Sequence, residues 1–132
     1  MKATRIIVAA LIVGSSLALQ LTQAQKPEIG RTELTHRDLG DSVREVIQVR
    51  VDFAPGAAFP KHSHPGVEVA YVLEGSLEYE LDGKPPVTLK AGASLFIPAW
   101  TIHSARNVGS GDASELATYV VEKGKPLVAV AP

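Results

Sequence analysis

His62 and His64 stand two residues apart, and Glu68 follows four residues after His64, across Pro65-Gly66. In an extended segment the side chains at i and i+2 leave the same face, so both imidazoles can converge on one point. A turn at Pro65-Gly66 would bring the Glu68 carboxylate back to that point. Imidazole nitrogens with a carboxylate oxygen suit one divalent first-row ion: Mn, Fe, Co, Ni, Cu or Zn. A fourth ligand must come from elsewhere. His103 is the natural candidate because it follows a strand-like segment and Pro98, and His36 is the one other histidine. His36 lies in a polar stretch and reads as solvated. Composition removes the competing chemistries. The chain has no Cys, which excludes disulfides, thiolate zinc sites, iron–sulfur clusters and a cysteine nucleophile. A net charge of −1 over 132 residues offers no general attraction to nucleic acid or to anionic lipid.

Short β-strands must position these residues. Ile47, Val49, Val51 and Phe53 alternate with Gln48, Arg50 and Asp52, the period of a strand with one buried face. Leu77, Tyr79 and Leu81 alternate with Ser76, Glu78 and Glu80 ahead of Asp82-Gly83, the chemistry of a tight hairpin turn. Further apolar β-type segments fall at 67–73, 87–89, 95–97 and 116–121, with Gly and Pro between them. Strands at intervals of about 8–12 residues predict an all-β fold, a small double-sheet β-sandwich or jelly-roll barrel. Residues 127–132 are equally compatible with a sheet edge and a trailing tail.

The N-terminus reads differently. Lys2 and Arg5 precede an uncharged apolar run from Ile6 to Leu21, followed by Thr22, Gln23 and Ala24. This is the layout of a secretory signal peptide, with cleavage expected after residue 24. The run is too short and too interrupted for the roughly 20 apolar residues of a spanning helix. Cleavage would leave 108 of the 132 residues with a net charge of about −3, exported to the periplasm or secreted. Residues 25–41 carry Pro27, Gly30 and Gly40 and read as an extended arm. The folded domain is expected over 42–132, as a homodimer in which the arm or an exposed strand edge meets a second copy.

Residues 56–75 read GAAFPKHSHPGVEVAYVLEG, and residues 92–107 read GASLFIPAWTIHSARN. Together they resemble the two motifs of the cupin superfamily. The first runs from Gly56 through His62, His64 and Glu68 to Gly75, and the second from Gly92 through Pro98 and His103 to Asn107. Sixteen residues separate Gly75 from Gly92, close to the spacer of small single-domain cupins. The resemblance implies that His62, His64, Glu68 and His103 are four ligands of one divalent ion per chain, inside a small jelly roll. One position departs from the pattern: Trp100 stands where the second motif has Gly. A left-handed turn there would strain a bulky aromatic. Its indole would either narrow the barrel mouth and contact substrate or simply pack over an edge.

The resemblance implies a metal-dependent enzyme acting on a small organic substrate. By analogy with small cupins that cleave flavonols and diketones, the expected chemistry is of dioxygenase type, with Glu68 as the base if it loosens from the ion. Two readings compete with it: a non-redox isomerase or lyase, and a metal-containing barrel that binds a ligand without turnover. Tyr71, Tyr79 and Tyr119 read as core or interface residues, with Tyr71 on the parity facing away from the ion. No carboxylate besides Glu68 is placed near the motif by spacing.

Overall fold

The computed structural model describes residues 27–132, so the expected leader at 1–24 lies outside the described residues. Ten strands follow one another: β1 (Ile29–Asp38), β2 (Arg44–Phe53), β3 (Ala58–Ser63), β4 (Gly66–Glu74), β5 (Ser76–Leu81), β6 (Val87–Lys90), β7 (Ser94–Ile97), β8 (His103–Asn107), β9 (Ala113–Glu122) and β10 (Ala129–Val130). They form two five-stranded sheets, ordered β1-β2-β9-β4-β7 and β10-β3-β8-β5-β6. The result is the double-sheet sandwich that the period-two patterning predicts.

The alternation decides which residues enter the space between the sheets. β2 buries Ile47, Val49, Val51 and Phe53, and β5 buries Leu77, Tyr79 and Leu81. From β9 come Ala113, Ala117, Tyr119 and Val121, also buried. The inner faces of the two sheets interdigitate into one core, as in sandwiches generally.

One segment departs from the sequence expectation, and two others gain detail. In the stretch expected as an arm, β1 pairs with β2 of its own chain from Ile29↔Phe53 to Asp38↔Glu45, with an irregularity between Glu33 and Thr35. This edge strand is almost wholly exposed, so its sequence lacks the apolar alternation of a buried one. After Asp82-Gly83 the chain does turn tightly, with the Lys84 N–H donating to Leu81 O at 3.0 Å. Pro85-Pro86 then lengthen the connection, and β6 begins only at Val87, opposite Tyr79. At the C-terminus the tail pairs: Ala129 and Val130 lie opposite Ser63 and His62 of β3.

Candidate metal centre

The four motif residues come from both sheets and meet in the core. His62 on β3 pairs directly with His103 on β8, which places both side chains on the same face of the sheet. Glu68 reaches them from β4 in the facing sheet, and His64 from the short link between β3 and β4. Gly66 makes that link fit. A Cβ there would lie 2.0 Å from the Val120 carbonyl oxygen and 2.6 Å from Val121 Cα, so only glycine lets β4 lie against β9 at this point. The backbone of Trp100 braces the link from the other side, its N–H donating to His64 O at 3.0 Å.

All four side chains are buried, at 2–6% exposure. One nitrogen or oxygen from each falls within 4.8 Å of the others. Each imidazole is oriented by a backbone carbonyl on Nδ1: Pro60 O at 2.7 Å for His62, Leu127 O at 2.6 Å for His64 and Thr101 O at 2.8 Å for His103. A carbonyl can only accept, so each Nδ1 carries the proton and each Nε2 is left for the cluster. Nε2 of His64 lies 3.0 Å from Glu68 Oε2 but is not aligned to hydrogen-bond it, and is a buried nitrogen without a partner. Such an orphan costs about 1–3 kcal/mol unless something satisfies it. With ligand bonds of about 2.0–2.2 Å, an ion suits a donor set this compact and satisfies that nitrogen. The residues fit a metal.

Their protonation supports the same reading. Burial pushes the His62 imidazole down to about 4, which keeps it neutral and able to ligate at neutral pH. Burial pushes Glu68 upward, but the His103 and His64 imidazoles prevail and hold its carboxyl well below the usual range. Burial alone would lower His103; its contact with Glu68, 3.1 Å away, reverses the direction and raises it. A proton on His103 thus stands in for positive charge beside Glu68, and a divalent ion would displace it.

A small cavity opens beside the cluster, against His62, Glu68 and His103. Its volume for the centre of a water molecule is about 10 Å³, room for roughly one water. Its other walls bring Arg31 and Glu115, which spacing did not single out, together with Tyr79 and Tyr119, expected as core or interface residues. The Tyr79 hydroxyl donates to Glu115 Oε2 at 2.5 Å. Burial, and then the charge of Glu68, push the Glu115 carboxyl up to about 7. Burial likewise raises the Tyr79 and Tyr119 phenols, and the Tyr119 ring packs on His64 with centroids 4.6 Å apart. The expectation of a single nearby carboxylate is therefore corrected: Glu115 is a second one on the cavity wall. Its signal was parity, since it shares the inward face of β9 with Ala113, Ala117, Tyr119 and Val121.

The remaining expected residues lie elsewhere. Trp100 adopts φ 59°, the left-handed strain anticipated for its position. Its indole is 53% exposed, sits 5.3 Å from Lys125 Nζ and does not line the cavity. Tyr71 points outward and is exposed. His36 is on the exposed β1, 2.7 Å from Glu45, away from the cluster. Asn107, the last residue of the second motif, is buried and structural: its amide donates to Phe53 O at 3.0 Å and Gly111 O at 2.8 Å, and its oxygen accepts from Gly109 N–H at 2.9 Å.

The family model for the cupin domain matches residues 49–126. The chain belongs to the cupin family. Among similar proteins, it is 36% identical over 88 residues to germin-like protein subfamily 2 member 2 of Arabidopsis thaliana, covering 61% of this chain and 39% of that protein. It is 35% identical over 51 residues to the dimethylsulfoniopropionate lyase DddQ of Ruegeria pomeroyi, covering 39% of this chain and 25% of the lyase. The solved structure of a recombinant oxalate oxidase in complex with glycolate superposes with a TM-score of 0.64 at 27% identity, over 77% of this chain and 54% of that one. This cupin thus spans about two fifths or less of the length of these two sequence relatives.

Proposed function

We propose that this cupin is an exported, metal-dependent enzyme of dioxygenase type, using one divalent ion held by His62, His64, Glu68 and His103 to act on a small organic substrate. The observation that carries the metal-dependent part of the reading is the buried, unpartnered Nε2 of His64, set among three further donors within 4.8 Å. Likeness to an oxalate oxidase favours redox chemistry among the choices open to this donor set. Once bound, the ion would supply Lewis acidity and, if it is Mn, Fe or Cu, redox capacity. The chain's own residues supply the rest. Three carbonyls fix the imidazoles, Val51 and Phe53 supply part of an apolar wall, and Glu68 is the carboxylate able to take a proton should it leave the ion.

The test is substrate-dependent oxygen uptake across a panel of small organic acids, enediols, diketones and flavonols. The reading expects uptake that His64→Ala abolishes; none across the panel, with the ion in place, would overturn the dioxygenase assignment. A non-redox lyase or isomerase is favoured by one separate observation. Glu115, whose carboxyl burial raises and which accepts the Tyr79 hydroxyl, places a second titratable group on the cavity wall, and one relative is a lyase. Turnover of a panel compound without oxygen consumption would select that reading; binding without turnover would leave a ligand-binding barrel. For the expected homodimer, the outer face of β4 and β7 exposes Val69, Tyr71, Leu73 and Phe96, an apolar patch that a second copy would cover. Light scattering at the monomer mass would count against it.

A further inference from the structure

Arg31 is the one exposed residue lining the cavity, so the cavity meets solvent at its side chain. It belongs to β1, outside both motifs and outside residues 49–126 matched by the family model. Its direction follows from register. Arg31 lies opposite Val51, which is buried in the core at 1% exposure, and residues directly opposite in an antiparallel pair share a face. The side chain therefore turns over the inner face of the sheet, while its neighbours Gly30 and Thr32 take the other parity. The guanidinium carbon sits 5.5 Å from the centroid of the Phe59 ring, a cation–π arrangement that holds the charge across the opening. Arg44, Arg50 and Arg106 each pair with a carboxylate at 2.6–2.8 Å. Arg31 has no such partner within 4.0 Å among the described residues.

We propose that Arg31 is a specificity-determining residue that binds the carboxylate of a small organic acid at the cavity mouth, facing the metal cluster. This rests on the metal-centre reading and deepens it. A guanidinium matches a carboxylate through two parallel N–H donors, which neither water nor a neutral carbonyl reproduces. The charges agree with an anionic guest. A divalent ion on Glu68 together with Arg31 leaves the cavity net positive whether or not Glu115 keeps its proton, in a setting with little water to screen it. Size sets a condition on entry. With room for roughly one water, the cavity admits a ligand only by displacing the Arg31 and Phe59 side chains. Arg31 is exposed and long enough to move while keeping hold of the anion. The substrate class is thus a compact carboxylate, bound to the ion through one end and to Arg31 through the other.

The experiment uses the full folded chain loaded with Zn, which is redox-inert, so that binding is read without turnover. Zn titration comes first. Failure to bind about one Zn per chain would sink the metal-centre reading and this inference with it, and would be seen before any acid is added. Glycolate and its neutral analogue glycolamide are then titrated by calorimetry into the wild type, Arg31→Leu and Arg31→Lys. The expected result is a preference of the wild type for glycolate, lost in Arg31→Leu by roughly tenfold or more in affinity. Arg31→Lys should recover part of it, while glycolamide affinity changes far less than glycolate affinity and each variant still binds about one Zn per chain. Retained binding of about one Zn per chain also certifies the fold of each variant. Glycolate binding that is absent in the Zn-loaded wild type, or equal in wild type and Arg31→Leu, would overturn the proposal.

Discussion

Replacing Glu115 by Gln removes one titrating group from the cavity wall and keeps the oxygen that accepts the Tyr79 hydroxyl. In the metal-free protein the carboxyl is raised from an ordinary 4.5 to about 7, by burial first and by the charge of Glu68 second. Below pH 4.5 it is protonated in folded and unfolded chains alike, and stability is unaffected. Between pH 4.5 and 7 the unfolded chain ionises while the folded one keeps its proton, so stability falls as pH rises. Above about 7 the loss is complete. At about 1.4 kcal/mol per pH unit, the separation corresponds to roughly 3 kcal/mol. The assay is urea denaturation of chelator-stripped wild type and Glu115→Gln from pH 4 to 8. His62, Glu68 and His103 titrate in both proteins, so the difference between the two curves reports Glu115 together with its coupling to Glu68 and His103. That difference should grow in favour of Glu115→Gln by roughly 3 kcal/mol across this window. Loading with Zn should shrink it, because an ion on Glu68 cancels part of the upward push. Parallel curves would refute the claim that Glu115 is a desolvated acid beside the cluster.

Other substitutions test the scaffold. Gly66→Ala forces a Cβ to within 2.0 Å of Val120 O, and neither strand can yield without breaking the β4–β9 ladder. It should cost about 3 kcal/mol or more by denaturation and lower metal occupancy as Glu68 shifts. Asn107→Ala strands the Phe53 and Gly111 carbonyls and the Gly109 N–H; a loss of about 2–4 kcal/mol is expected in the same assay. Trp100→Gly relaxes a left-handed backbone at φ 59° and removes no cavity wall. Titration should find its Zn affinity within about twofold of the wild type, with strain of roughly 1 kcal/mol relieved.

The sequence was legible where burial and chemistry left a period. Val49, Val51 and Phe53, and Leu77, Tyr79 and Leu81, announce β2 and β5 because their inward positions are apolar. In β8 the inward positions are His103, Ala105 and Asn107, so the same alternation of burial carries no apolar pattern. The ligand set was visible because His62, His64 and Glu68 are close in the chain and His103 sits in a recognisable motif. Glu115 reaches the site through pairings with distant strands, opposite Val51 and Val72, and Arg31 through a hairpin pairing with the next strand, opposite Val51. Register between strands far apart in sequence is set by the whole fold, so the parity of Glu115 with Ala117 and Tyr119 did not by itself say which face of β9 turns inward. The ten-residue β1 stayed hidden for a related reason: it is an exposed edge, held by backbone bonds and not by an apolar face.

The central claim is that His62, His64, Glu68 and His103 hold one ion. The most direct measurement is elemental analysis of the protein purified from its native source, beside a His62→Ala/His64→Ala variant prepared in the same way. The account predicts about one first-row ion per chain in the wild type and none in the variant. No metal in the wild type, or the same amount in a folded variant, would contradict it.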